Sequence, residues 1–124
     1  MRHITLDTGA LIALERRRQR MREVVERAIE RDQLITVPAD VIAEWWRGRT
    51  DVREAILASV DVEPLSEELA RTAGEALASV KRATPVDAIV MASAASRGDV
   101  VYTSDVEDLQ RLQRHFPAVR VLRV

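Results

Sequence analysis

Apolar residues recur along this chain in two alternating rhythms. Short β-rich runs stand at 3–6 (HITL), 34–37 (LITV), 60–65 (VDVEPL), 100–103 and 119–122. Between them the apolar positions take helical spacing. Met21, Val24, Val25, Ala28 and Ile29 fall at i, i+3, i+4, i+7 and i+8, which predicts a helix over 18–31 with one buried stripe. Asp7-Thr8-Gly9 ends the first run, and a short helix over 10–15 follows. Pro38 suits the first turn of the next helix, whose stripe is Val41, Ile42, Trp45 and Trp46 and which Gly48 ends. Val52, Ala55 and Ile56 mark another helix over 51–59. Ser66 can cap a helix with Glu67 and Glu68 in its first turn and Leu69, Ala73, Leu77 and Val80 as its stripe. Thr84-Pro85-Val86-Asp87 is a helix start: a cap, Pro at the first position and an acid at the third. The Ala-rich stretch 88–95 lets that helix lie close to a sheet, and a last helix is expected over 105–115.

Strands alternating with crossover-length helices predict an α/β fold, a mostly parallel sheet covered on both faces. With 124 residues, no linker and no repeat, the chain reads as one domain, 1–124. Such sheets bind ligands beyond the carboxyl ends of their strands. Asp7 lies just past the first strand and Asp105 just past the fourth. Asp87 opens the helix leading into the fourth strand, so its edge is less directly given.

Composition narrows the chemistry. There is no Cys, hence no disulfide, thiolate nucleophile or Cys-ligated zinc. The chain has no stretch of bilayer-spanning length and no basic lead followed by an apolar block, so a cytoplasmic protein without a membrane role is expected. Lys plus Arg is 19 and Asp plus Glu is 20, a formal net charge of -1. That argues against a non-specific grip on nucleic acid. The bases are nearly all Arg, whose fork suits phosphate. One Phe and one Tyr leave little for a stacking platform.

Four acids stand beside apolar stretches: Asp7, Glu44, Asp87 and Asp105. Each has an ordinary structural explanation. Asp7 and Asp105 can cap helices, although Thr8 could cap in place of Asp7. Glu44 can be a solvated helix residue paired weakly with Arg47. Asp87 is favoured in a first turn by the helix end. Asp105, Glu107 and Asp108 together exceed what one cap needs. Two carboxylates at about 4 Å repel by roughly 4 kcal/mol at an effective dielectric near 20, so a cluster of this kind calls for a counter-charge. Mg²⁺ or Mn²⁺ prefers such oxygen ligands, can activate water and can hold phosphate oxygens.

The four segments, taken in order, resemble the motifs of PIN domains, specifically the VapC toxins of type II toxin–antitoxin systems. LDTGALIAL is similar to the first motif, with Asp7 as its acid and Thr8 as companion hydroxyl. VIAEWWRG resembles the second with Glu44, and PVDAIVMASAA the third with Asp87. VVYTSDVEDLQRL resembles the fourth, with Thr103, Asp105 and Asp108. Leu109 stands where the family has an aromatic. The resemblance implies a three-layer PIN-like sandwich with a five-stranded, mostly parallel sheet between helices. It implies a Mg²⁺- or Mn²⁺-dependent endoribonuclease. Asp7, Asp87 and Asp105 would hold metal, Glu44 would bind it or orient the attacking water, and Asp108 would act at one remove. It further implies a homodimer, a cognate VapB-type antitoxin laid across the active-site groove, an RNA substrate, and promoter DNA contacted mainly through the antitoxin.

Arg47, Arg49 and Arg82 are candidates for RNA phosphate near this pocket, Lys81 being similar. Arg16, Arg17, Arg18, Arg20 and Arg22 form the densest basic run, either a solvated helix start or a surface for RNA or antitoxin. Of Trp45 and Trp46, one is expected in the core and the other at an interface. His3 reads as structural and His115 as a surface residue. Two rival functions stay open: a PIN-fold nuclease processing RNA or DNA outside a toxin–antitoxin pair, and a catalytically silent binding partner. A phosphotransfer receiver would need a late Lys, which the late strands lack.

Overall fold

The first strand, β1 (Ile4–Leu6), is buried at every residue in the computed structural model, which describes residues 2–124. An unbroken β-rich run suits a central strand with helices on both faces. β2 (Ile35–Pro38) and β4 (Val100–Thr103) flank it, and β3 (Asp61–Glu63) and β5 (Arg120–Arg123) form the edges, in the order β3-β2-β1-β4-β5. All four neighbouring pairs are parallel, so the sheet is parallel throughout.

The chain steps from β1 to β2 to β3 in one direction, then returns to β4 and β5 on the other flank. Right-handed crossovers therefore assign α1 (Thr8–Glu15), α2 (Gln19–Glu30), α3 (Ala39–Trp45) and α4 (Asp51–Ala58) to one side. α5 (Glu67–Ser79), α6 (Pro85–Arg97) and α7 (Val106–Leu112) fall to the other. The reversal makes a switch point at the carboxyl ends of β1 and β4, where a parallel sheet opens a crevice.

α6 is the central helix of its layer. Ala88 to Ala94 are all buried, which small side chains permit by letting the helix approach the sheet. Thr84 caps it through the Asp87 amide, Pro85 takes its first turn, and Gly98 ends it at φ 73°. Beneath it lies a charged network. The fully buried Asp99 accepts from the Thr5 hydroxyl at 2.7 Å and from Arg97 Nε at 2.9 Å. Arg97 also reaches Glu63 at 2.7 Å and Ser93 at 2.8 Å. It ties β1, β3 and β4 to α6.

Several element ends differ from the sequence expectation. Pro38 is the last residue of β2, held extended opposite Glu63, so α3 begins at Ala39. α3 stops at Trp45, before Gly48, because Trp46 turns extended at ψ 126°. Only Asp61–Glu63 of the 60–65 run pairs, and the last helix closes at Leu112. Ile29, in the last turn of α2, and Leu34, just before β2, are placed in the apolar pattern but are exposed. His3 accepts the Leu34 amide through Nδ1 at 2.9 Å, a structural role as expected.

Candidate active site

Asp7 leaves β1 at the switch point and is buried. Its Oδ1 accepts the Ala10 amide at 3.0 Å, and the Thr103 hydroxyl, from the end of β4, donates to Oδ2. Asp7 is thus itself the cap of α1, and Thr8 is free for another role. Burial, the largest influence, pushes the Asp7 carboxyl up to about 6, and the charges of Asp87 and Asp105 add to the rise. The two hydrogen bonds oppose it without cancelling it.

The Thr103 hydroxyl also accepts the Asp105 amide at 2.8 Å, so one side chain fixes both sheet-end acids. Asp105 precedes α7 but makes no side-chain cap to it, which leaves its carboxylate for other partners. α1 crosses this turn very closely. A Cβ on Gly9 would fall 2.0 Å from Ser104 Oγ, 2.8 Å from its Cβ and 3.0 Å from its amide nitrogen. Only glycine allows that approach.

Asp87, half-buried in the first turn of α6, is raised by burial first. The Thr84 hydroxyl lowers it, and the charges of Asp108, Glu44 and Asp105 raise it further. Glu44 projects from the exposed side of α3 and accepts the Thr8 hydroxyl at 2.6 Å. That bond links the second acid to the residue after the first. Arg47 does not pair with Glu44. Its guanidinium donates to the Ala43 and Trp46 carbonyls, at 3.3 and 2.8 Å, at the end of α3.

Asp7, Glu44, Asp87, Asp105 and Asp108 all line one cavity of about 440 Å³, with Thr8, Ser104 and Arg47 on its walls. Asp108 is also paired with Arg111 at 2.7 Å, and Glu107, outside the cavity, with Arg123 at 3.2 Å. Arg49 faces Asp51 and Glu54, each at 3.8 Å, and neither Arg49 nor Arg82 lines the cavity. Among the described residues, no three His, Asp or Glu side chains stand gathered as a ready metal cage. The donor set nevertheless suits a hard divalent cation. It is all oxygen, it faces a single arginine, and two of its members already resist ionising because they are buried among like charges.

Two residues that support the site carry no sequence signal of their own. Glu15, at the end of α1, accepts the Trp45 indole N–H at 2.9 Å and pairs with Arg53 at 3.0 Å. It fastens α3, and so Glu44, to α1 and α4. Trp45 is buried and Trp46 half-buried, meeting edge to face at 6.1 Å. The second is Gly9, whose need appears only where Ser104 crosses it.

The sequence profile of the PIN domain matches residues 4–114. This chain belongs to the PIN-domain family. No curated protein has a matching sequence. Solved structures place this PIN domain beside several others. The DNA-bound VapBC of Salmonella typhimurium is similar at a TM-score of 0.77 and 20% identity, over 99% of this chain and 98% of that one. VapBC2 of Rickettsia felis, bound to a promoter DNA fragment, also gives 0.77, at 12% identity over 98% of each chain. FitAB bound to IR36 DNA gives 0.70 at 20% identity, over 97% of this chain and 94% of that one. At these identities the likeness is one of fold. No helix among the described residues of this PIN domain is long and apolar enough to cross a membrane.

Proposed function

We propose that this PIN domain is a Mg²⁺- or Mn²⁺-dependent endoribonuclease, the VapC-like toxin of a pair with a VapB-type antitoxin. One observation carries the reading: five acids from four separate segments converge on one cavity at the carboxyl edge of a parallel sheet. Asp7, Asp87, Asp105 and Glu44 are the residues that would hold the ion. A bound divalent ion supplies water activation and neutralises phosphate charge. The chain's own groups do the positioning. Thr103 holds Asp7 and the Asp105 turn, Thr8 holds Glu44, and Arg47 offers a guanidinium to phosphate at the cavity wall. Asp108, tied to Arg111, acts at one remove. No side chain need become a covalent nucleophile.

Partnership with an antitoxin, a homodimeric state and promoter DNA contact through the antitoxin are supported by the similarity to VapBC and FitAB folds. The test is incubation with total RNA and Mn²⁺ or Mg²⁺, beside EDTA and Asp87→Asn controls. Discrete products that vanish in both controls are expected. Products that persist in EDTA would refute the metal role. No cleavage and no metal binding by folded protein would favour a silent binding partner.

A further inference from the structure

A second cavity, of about 380 Å³, lies directly against the acidic one and shares Gly9, Ile12 and Ser104 with it. Its character is opposite. Arg16, Arg18 and Arg20 line it, over apolar surface from Ile12, Ala13 and Met21. Arg20 spends its Nε on the Arg123 carbonyl at 2.9 Å. The guanidiniums of Arg16 and Arg18 have no acid or hydrogen-bond partner among the described residues. Both side chains are exposed and meet at one hollow beside the acid cluster, where their donors are open to an anion.

The backbone holds them there. After α1 the Arg17 amide bonds to the Leu14 carbonyl at 3.0 Å and the Arg18 amide to Ala13 at 2.9 Å. This is a Schellman turn, and Arg17 occupies its left-handed position at φ 57°, where glycine is usual. The turn sends the arginines different ways: Arg16 and Arg18 line the cavity and Arg17 does not.

We propose that this basic cavity is a nucleotide subsite for the RNA strand adjoining the scissile phosphate, with Arg16 and Arg18 on a neighbouring phosphate and a nucleoside on the apolar floor. This rests on the nuclease reading of the acidic cavity. The shared wall favours RNA over an acidic peptide. A polynucleotide can offer one phosphate to the metal-binding acids and the next to the arginines.

The test uses the full chain carrying Asp87→Asn, so that RNA is not cut, with Mg²⁺ and a short fluorescein-labelled oligouridylate. Anisotropy is read across a salt series. Arg16→Gln with Arg18→Gln should weaken binding about tenfold and lower the log–log salt slope by about 0.7, the value for one single-strand phosphate. Arg17→Gln, one residue away, should change neither. An unchanged slope in the double variant, an equal loss from Arg17→Gln, or no binding by the Asp87→Asn parent would overturn the subsite. So would an oligoglutamate peptide that depends on Arg16 and Arg18 where the RNA does not. Cleavage by the wild-type chain is scored separately. Arginine-dependent binding without any cleavage leaves a nucleotide-binding cavity standing and removes the nuclease reading on which its catalytic role rests. Cleavage indifferent to the double variant does the reverse.

Discussion

Asp7→Asn should make the metal-free protein more stable at alkaline pH. In the folded chain Asp7 releases its proton near pH 6, against 3.8 for an unperturbed carboxyl. Between these values the native state binds more protons than the unfolded one, so stability falls as pH rises through that window. The contribution is whole below 3.8 and lost above 6. Two pKa units correspond to about 3 kcal/mol, and this is the upper limit of what an uncharged side chain recovers. Asn caps as well as Asp, so the Ala10 bond survives, and its amide can donate to Thr103 in place of the bond Thr103 now gives. Urea unfolding in EDTA should show a gain of about 2–3 kcal/mol at pH 8, shrinking toward nothing at pH 4. Added Mn²⁺ should raise the wild-type midpoint and barely move that of the variant. A variant no more stable than wild type at pH 8, or a difference independent of pH, would refute the claim that burial holds this acid in conflict with its charge.

Arg47→Ala should lower the rate of RNA cleavage while the fold persists, with a loss of about 1 kcal/mol from its two carbonyl bonds at the end of α3; unchanged cleavage kinetics would sink the phosphate role. Gly9→Ala drives a methyl into the Ser104 side chain and against its amide nitrogen and should cost about 1–3 kcal/mol. Because Ser104 adjoins Asp105, cleavage should fall further than stability explains, and an unaltered midpoint in thermal unfolding would contradict the close approach. Asp99→Ala removes the acceptor that Arg97 and Thr5 share beneath α6 and should destabilise by about 3 kcal/mol, measured by denaturant unfolding. A loss below half of that would mean Glu63 and Ser93 suffice for Arg97.

The elements and the main acids were readable because they depend on local pattern. The runs at 4–6 and 100–103 are continuous and β-rich, so sequence alone sets Asp7 and Asp105 at strand ends. Asp87 was harder, since it ends no strand. Its place follows from the crossover: a helix leading into a parallel strand starts at the carboxyl edge, so its first turn arrives beside the other acids. What local pattern could not show lies in contacts between distant residues. The Glu15 tie to Trp45, the Gly9–Ser104 approach and the Asp99 network under Thr5 each join segments that sequence spacing leaves unrelated. The basic run read as one surface because a Schellman turn centred on Arg17 gives no glycine signal.

The placement of β1 between β2 and β4 also governs when the acidic cavity can come into being as the chain is made. Asp7 is held by Thr103, 96 residues further on, and faces Asp105 and Asp108 beyond it. While a ribosome is still translating the middle of the message, β1 has one neighbour and the pocket lacks a wall. Contacts between such distant residues form late in folding, because the intervening loop must first be closed. A nascent chain is therefore without its acid cluster until β4 and the start of α7 have emerged, and no shorter piece of the chain has the cavity whole.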